Sequence, residues 1–197
     1  GPVIYISSEG VADIKYRIMA WEQGVGCSAD ATPFYLIPQS MNFMNEGDVV
    51  KLIRTVDSVV KLMHTAPAAI VIDTVSRVLP GVDENLQKDI TLFIKTTDLL
   101  REMYKTAVIG VHHSSRAGNL RGSTVFDGAG DCLLAVSREE GAEIGELRAV
   151  KIKSAPDGWR ESFKLRLIET GDLKGTKSLY AEKCEQQPEE SNWPGKP

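Results

Sequence analysis

The sequence predicts an α/β protein, a mostly parallel sheet flanked by helices and followed by antiparallel strands. Three observations point there. Apolar residues run without a break from Ala68 to Ile72 and stop on Asp73, and a short apolar run that does not alternate suits a strand buried on both faces. Apolar runs of this kind alternate with helical periodicity as far as residue 112, the pattern of parallel strands joined by crossover helices. Beyond that point two strand-like stretches, 146–153 and 160–168, flank Ala155-Pro156-Asp157-Gly158, turn chemistry that predicts a C-terminal antiparallel hairpin.

Each element has its own signal. Gly1-Pro2 reads as the scar of a cleaved tag. Val3 to Ser7 is a strand that begins with no lead-in, which raises the expectation that an upstream part of the fold is missing. Ile14, Ile18 and Trp21 lie at helical spacing over 11–23, and Gly24 and Gly26 close that helix. Phe34 to Ile37 is a second strand. Asn45, with Asp48 three residues on, caps a long helix carrying Val49, Ile53, Val56, Val60 and Met63 on one face. After Asp73, Pro80-Gly81 marks a turn, and Asp83 caps a helix bearing Ile90, Phe93, Ile94, Thr97 and Leu100. Ala107 to Val111 predicts another buried strand, ending in His112-His113, and Asp131 to Ser137 holds a further one. The expected organisation is a tag scar at 1–2, a core at 3–181, and a disordered tail at 182–197, where Glu, Gln and Pro dominate without periodicity.

Composition sets bounds. A chain of 197 residues with 42% apolar content supports one ordinary core. A net charge of −4 gives no global basic signal, so any nucleic-acid contact must be local. Three scattered cysteines form no metal pattern and argue for a reducing, cytoplasmic setting. No apolar stretch approaches a membrane span, so no membrane partner is expected.

The residues that can carry chemistry cluster at predicted strand ends. Open α/β sheets bind ligands at the carboxyl ends of their strands. Asp73 stands there as a single carboxylate, the Walker B pattern that serves Mg²⁺ beside a nucleoside triphosphate; capping of the next helix is the competing role. Glu9 lies just past the first strand, where a carboxylate orients a water or favours a helix start. His113 follows the 107–111 strand, and alternation puts His112 inward and His113 toward the ligand edge. Lys151 and Lys153 share one side of a strand, suited to a phosphate or to a solvated edge. The 114–122 loop, with Ser115, Arg116, Asn119, Arg121 and two glycines, is flexible and locally basic, as nucleic-acid backbones require. Glu9, Asp73 and His113 therefore fall on one edge of one sheet, the constellation of a nucleoside triphosphatase.

Here the chain resembles the RecA-like ATPase core of the RepA-like hexameric replicative helicases, with a more distant likeness to DnaB- and KaiC-type ATPases. The stretches that carry it are VIYISSEG, PFYLIPQS, AIVIDTVSRVLPGVDEN, VIGVHHSSRAGNLRGST and KIKSAPDG, over roughly residues 3 to 170. The resemblance implies that Glu9 activates the attacking water, that Asp73 serves Mg²⁺, and that His113 senses the γ-phosphate of ATP. It implies that 114–122 is the single-stranded DNA-binding loop of a hexameric ring, and that Lys151, Lys153 or Arg121 reaches a neighbour's nucleotide in trans. Two departures stand out. The family's Gly-x-x-x-x-Gly-Lys-Ser/Thr phosphate loop, expected before VIYISSEG, is absent from the sequence given. Some relatives have an arginine finger soon after the RGS stretch, where this chain has Asp127-Gly128-Ala129-Gly130-Asp131. The reading is a fragment or variant of a RecA/RepA-like DNA helicase or recombination motor of phage or plasmid type, inactive as given. The alternatives are a non-catalytic RecA-like module that binds DNA or ring partners, and a metal-dependent phosphoesterase using Asp73, His112 and His113.

Overall fold

The computed structural model describes residues 1–81, 87–113, 125–156, 158–171 and 175–185. Their elements run β1 (Val3–Ser7), α1 (Ile14–Val25), β2 (Phe34–Ile37), α2 (Glu46–Met63), β3 (Ala69–Asp73), α3 (Val75–Val78), α4 (Gln87–Tyr104), β4 (Ala107–Val111), α5 (Val125–Ala129), β5 (Cys132–Ser137), β6 (Ile144–Ile152), β7 (Arg160–Glu169) and β8 (Lys177–Cys184). They form two four-stranded sheets, ordered β2-β1-β3-β4 and β5-β6-β7-β8. The chain divides into two units: residues 1–14 with 28–126, and residues 15–27 with 127–197.

In the first unit every strand pair is parallel. Alternation along the strands sends Ile4, Ile6, Ile70 and Ile72 to one face, where all four are fully buried. They share a core with Leu52 and Val56 of α2 and Ile90, Phe93 and Leu100 of α4. α2 begins where the sequence places it. Asn45 is extended, and its side chain accepts a hydrogen bond from Asp48 N at 3.2 Å, satisfying one of the helix's orphan donors. Tyr104, at the end of α4, ties the two helices by donating to Ile53 O at 3.1 Å and Asp57 Oδ1 at 2.8 Å. That burial, with Asp57 beside it, pushes the Tyr104 phenol well above its ordinary pKa.

Burial on both faces, expected for the 68–73 and 107–111 strands, does not hold. α2 and α4 pack on the same side. On the other face Ala69 and Val71 are half-buried, and Ile109 and Val111 of β4 are 49% and 38% exposed. An uninterrupted apolar run cannot distinguish a strand covered twice from one covered once, because both faces carry apolar residues either way.

In the second unit β5, β6, β7 and β8 make an antiparallel meander, so the expected hairpin, β6 with β7, is the middle of a larger sheet of its own. The sequence reading has no strand at 177–184. β8 fills it and runs to Cys184, past residue 181, the expected end of the core. Its residues Lys177-Ser178-Leu179-Tyr180-Ala181-Glu182-Lys183-Cys184 hide the period-two signal, since each face mixes polar and apolar side chains. Within this unit Gly24 of α1 lies against the Tyr180 ring; a Cβ there would meet ring atoms. The Asp83 cap, the 114–122 loop and residues 186–197 lie outside the described residues.

Candidate functional site

Three adjacent parallel strands build the site. The register sets Ser7 beside Asp73 and Asp73 beside Val111, so the segments leaving β1, β3 and β4 start at one edge of the sheet. Ser8 N donates to Asp73 O at 2.6 Å, and Ser7 Oγ donates to Glu9 O at 3.0 Å, which holds the β1 exit against the end of β3. Asp73 is the last residue of β3. Tyr5, two residues before Ser7 and on the same face of β1, donates its phenol proton to Asp73 Oδ2 at 2.5 Å.

The short helix α3 follows at once. Val75 and Val78 are buried and pin it to the core, and Phe43 N donates to Val78 O at 2.8 Å. The residues between them face away from that core. Thr74 occupies the N-cap position but makes no capping bond with its side chain. Its hydroxyl donates to Glu9 Oε2 at 3.3 Å and lies 3.1 Å from Ser76 Oγ. Arg77 Nε stands 3.5 Å from the same Glu9 oxygen, and His113 Nε2 stands 3.8 Å from it.

Arg77, first by its hydrogen bonding and then by its charge, holds the Glu9 carboxyl below the usual glutamate value, with Thr74 and His113 adding; slight burial opposes them. His112 turns the other way and packs its ring 5.5 Å from that of Phe126.

The structure thus brings Glu9 and His113 together and sets Asp73 at the neighbouring strand end. It also adds Arg77 and Thr74, which the sequence reading did not single out. Arg77 had a signal: it is the only charged residue between Asp73 and Asp83, in the segment leaving a strand end. Among the described residues no three His, Cys, Asp or Glu side chains converge as a metal cage. With His112 turned to Phe126, the set Asp73, His112 and His113 does not form one. A lone carboxylate with Oδ2 engaged by Tyr5 fits Mg²⁺ of another kind, bound mainly through its waters and through phosphate oxygens.

The sequence profile of a family described as an AAA domain matches residues 1–119, more than half of the 197. The chain belongs to that family. No curated protein matches it. The crystal structure of the RadB recombinase is similar to it with a TM-score of 0.56, at 15% identity over 84% of this chain and 76% of that one. At that identity the likeness concerns the fold, which is RecA-like.

The remaining candidates of this AAA-family chain lie elsewhere. Lys151 is in β6 and Lys153 just beyond its end, yet both reach the segment entering β5: Lys151 Nζ donates to Gly130 O at 3.1 Å and Lys153 Nζ to Asp131 Oδ1 at 2.8 Å. Ser115, Arg116, Asn119 and Arg121 fall outside the described residues. Among the described residues Cys27, Cys132 and Cys184 form no disulfide. No helix among the described residues is long and apolar enough to cross a membrane.

Proposed function

We propose that this chain carries the water-activating half of a RecA-like ATPase that couples ATP hydrolysis to single-stranded DNA, as a helicase or recombination motor of the RepA-like kind. The observation that carries this reading is the convergence of Thr74, Arg77 and His113 on one oxygen of the Glu9 carboxylate, beside Asp73 at the neighbouring strand end. Glu9 is the general base. A water proton passes to its carboxylate as the water oxygen bonds the γ-phosphorus and the bond to the β-phosphate breaks, its electron pair leaving on ADP. Asp73 would hold Mg²⁺, and the ion would supply neutralisation of the phosphate charge. His113, within reach of Glu9, reports the γ-phosphate to the segment that follows it, 114–122, where Ser115, Arg116, Asn119 and Arg121 meet the DNA backbone. In a hexameric ring, Lys151, Lys153 or Arg121 serves a neighbour's nucleotide; for the two lysines this requires release from Gly130 and Asp131. The setting is the reducing cytoplasm.

The 197 residues contain no Gly-Lys-Ser/Thr stretch to cradle the β- and γ-phosphates. By itself the chain therefore binds ATP weakly and turns it over poorly. The alternative is a non-catalytic RecA-like module that binds DNA or ring partners. The experiment that separates the two is Glu9→Gln in a protein carrying this chain together with a phosphate loop. Turnover is expected to vanish while ATP binding persists, because only the base is removed. Near-normal turnover would leave Glu9 a helix-start residue and favour the binding module.

A further inference from the structure

Thr74, Arg77 and His113 all approach Glu9 through Oε2, at 3.3, 3.5 and 3.8 Å. We propose that Arg77 is the positioning residue of the site: it clamps the Glu9 carboxylate by Oε2 and so presents Oε1 to the attacking water. The proposal rests on the reading of Glu9 as the base.

Two independent features support it. The first is that the clamp does little for stability. Arg77 and Glu9 are 60% and 40% exposed at 3.5 Å, and such surface pairs contribute little to folding. α3 is already fixed by buried Val75 and Val78, so the ion pair is not needed to hold it. The second is Thr74. An N-cap threonine ordinarily spends its hydroxyl on the second or third N–H of its helix. Here the hydroxyl makes no such bond and goes to Glu9 instead. One short turn thus gives up its cap and offers its only cation to the same carboxylate oxygen.

A carboxylate anchored at one oxygen is fixed in azimuth, which a general base requires, because its free oxygen must meet a water already in line with the phosphorus. The choice of arginine follows: the guanidinium stays charged at every working pH and donates in a fixed planar geometry. The charged and titratable groups facing Glu9 among the described residues are Arg77 on α3 and His113 beyond β4. With its pKa held down by Arg77, Glu9 remains ionised, and able to accept a proton, to lower pH than an ordinary glutamate.

The test compares Arg77→Gln and Arg77→Lys with the parent, each carrying a phosphate loop. Arg77→Gln should lower kcat roughly ten- to a hundredfold with KM for ATP little changed, the size of effect expected when a reacting group is misaligned. The acid limb of the kcat–pH profile should move to higher pH, since loss of the cation raises the pKa of Glu9. Arg77→Lys should recover most of the shift in the limb and only part of the rate. A carboxyl ¹³C NMR titration of Glu9 in the 197-residue chain reads the same shift with no turnover required. Thermal melts of both variants should match the parent. An unchanged kcat and unchanged Glu9 titration in Arg77→Gln overturns the proposal, and so does a rise in kcat, which would make the pair a restraint. Glu9→Gln, measured alongside, separates the two failures: if it retains turnover, the assignment of the base itself is wrong, whatever Arg77 does.

Discussion

Gly110 and Val75 meet so closely that a Cβ on Gly110 would lie 2.9 Å from Val75 Cγ2. The glycine in β4 is there for close approach: the first buried residue of α3 packs on the strand where a side chain would otherwise stand. Val75 is stiff at χ1 and 3% exposed, so it cannot step aside. Gly110→Ala should therefore destabilise the protein by about 1–3 kcal/mol, the usual cost of overpacking, outweighing the smaller gain from a less flexible unfolded chain. Val75→Ala on that background should recover part of the loss in urea unfolding. Additive losses would place the strain elsewhere.

A second prediction concerns acid. Asp48 accepts a hydrogen bond from Asn42 N at 3.0 Å and pairs with Lys51 at 3.1 Å. The Asn42 amide first, then Lys51, holds its carboxyl below the ordinary aspartate value of 3.8. A depressed folded pKa means that the unfolded chain binds the proton more readily. The stability contributed by Asp48 is thus fully present above the ordinary aspartate range and is lost as pH falls through the lower folded value. Asp48→Asn should flatten the decline in stability below about pH 4, measured by urea unfolding from pH 5 to pH 2. If both proteins lose stability in parallel across that window, Asp48 is not a source of the acid sensitivity.

The strand ends of this site were legible in the sequence because the chemistry sits where the periodicity stops. Asp73 ends an apolar run, Glu9 follows a β-rich stretch, and His113 closes another. The order β1-β3-β4 then brings them to one edge without further information from the chain. Arg77 was harder to see, since nothing in a four-residue helix announces which way its one cation points; buried Val75 and Val78 decide that only once the core exists. β8 was invisible for a different reason, as its two faces carry similar mixtures of side chains and no alternation survives. The single-sided burial of the parallel sheet could not be read either, because Val71, Ile109 and Val111 are as apolar as Ile70 and Ile72.

The DNA reading has its own test. If 114–122 follows the backbone of a single strand, Arg116→Ala and Arg121→Ala in a protein carrying a phosphate loop should each weaken binding. Each should also reduce the slope of log K against log salt by about one unit or less, one phosphate contact's worth of released counterions. Fluorescence anisotropy with an unstructured oligonucleotide from low to moderate salt measures it. Slopes unchanged in both variants would move the DNA to another surface.

The last prediction comes from the outer strand of the parallel sheet. Among the described residues β4 is hydrogen-bonded on one side only, to β3. Its other edge offers a row of backbone donors and acceptors, and two of its side chains, Ile109 at 49% and Val111 at 38% exposure, add apolar area beside that row. An edge strand with apolar side chains and no charge, proline or bulge is a template for pairing with another chain. β4 is Ala107-Val108-Ile109-Gly110-Val111, with none of those safeguards. The isolated 197-residue chain should therefore self-associate, with a mass in light scattering that rises with concentration. Ile109→Lys and Val111→Lys place a charge on the face away from the Ile70 and Ile72 core, so each should restore a monomer with little loss of stability. The substitutions also separate this edge from the exposed leucines and valine of the antiparallel sheet, Leu134, Val136, Leu167 and Leu179, which they leave untouched. Association that persists in both lysine variants would assign it to that second surface, and a parent that stays monomeric at high concentration would show that the β4 edge is protected in solution.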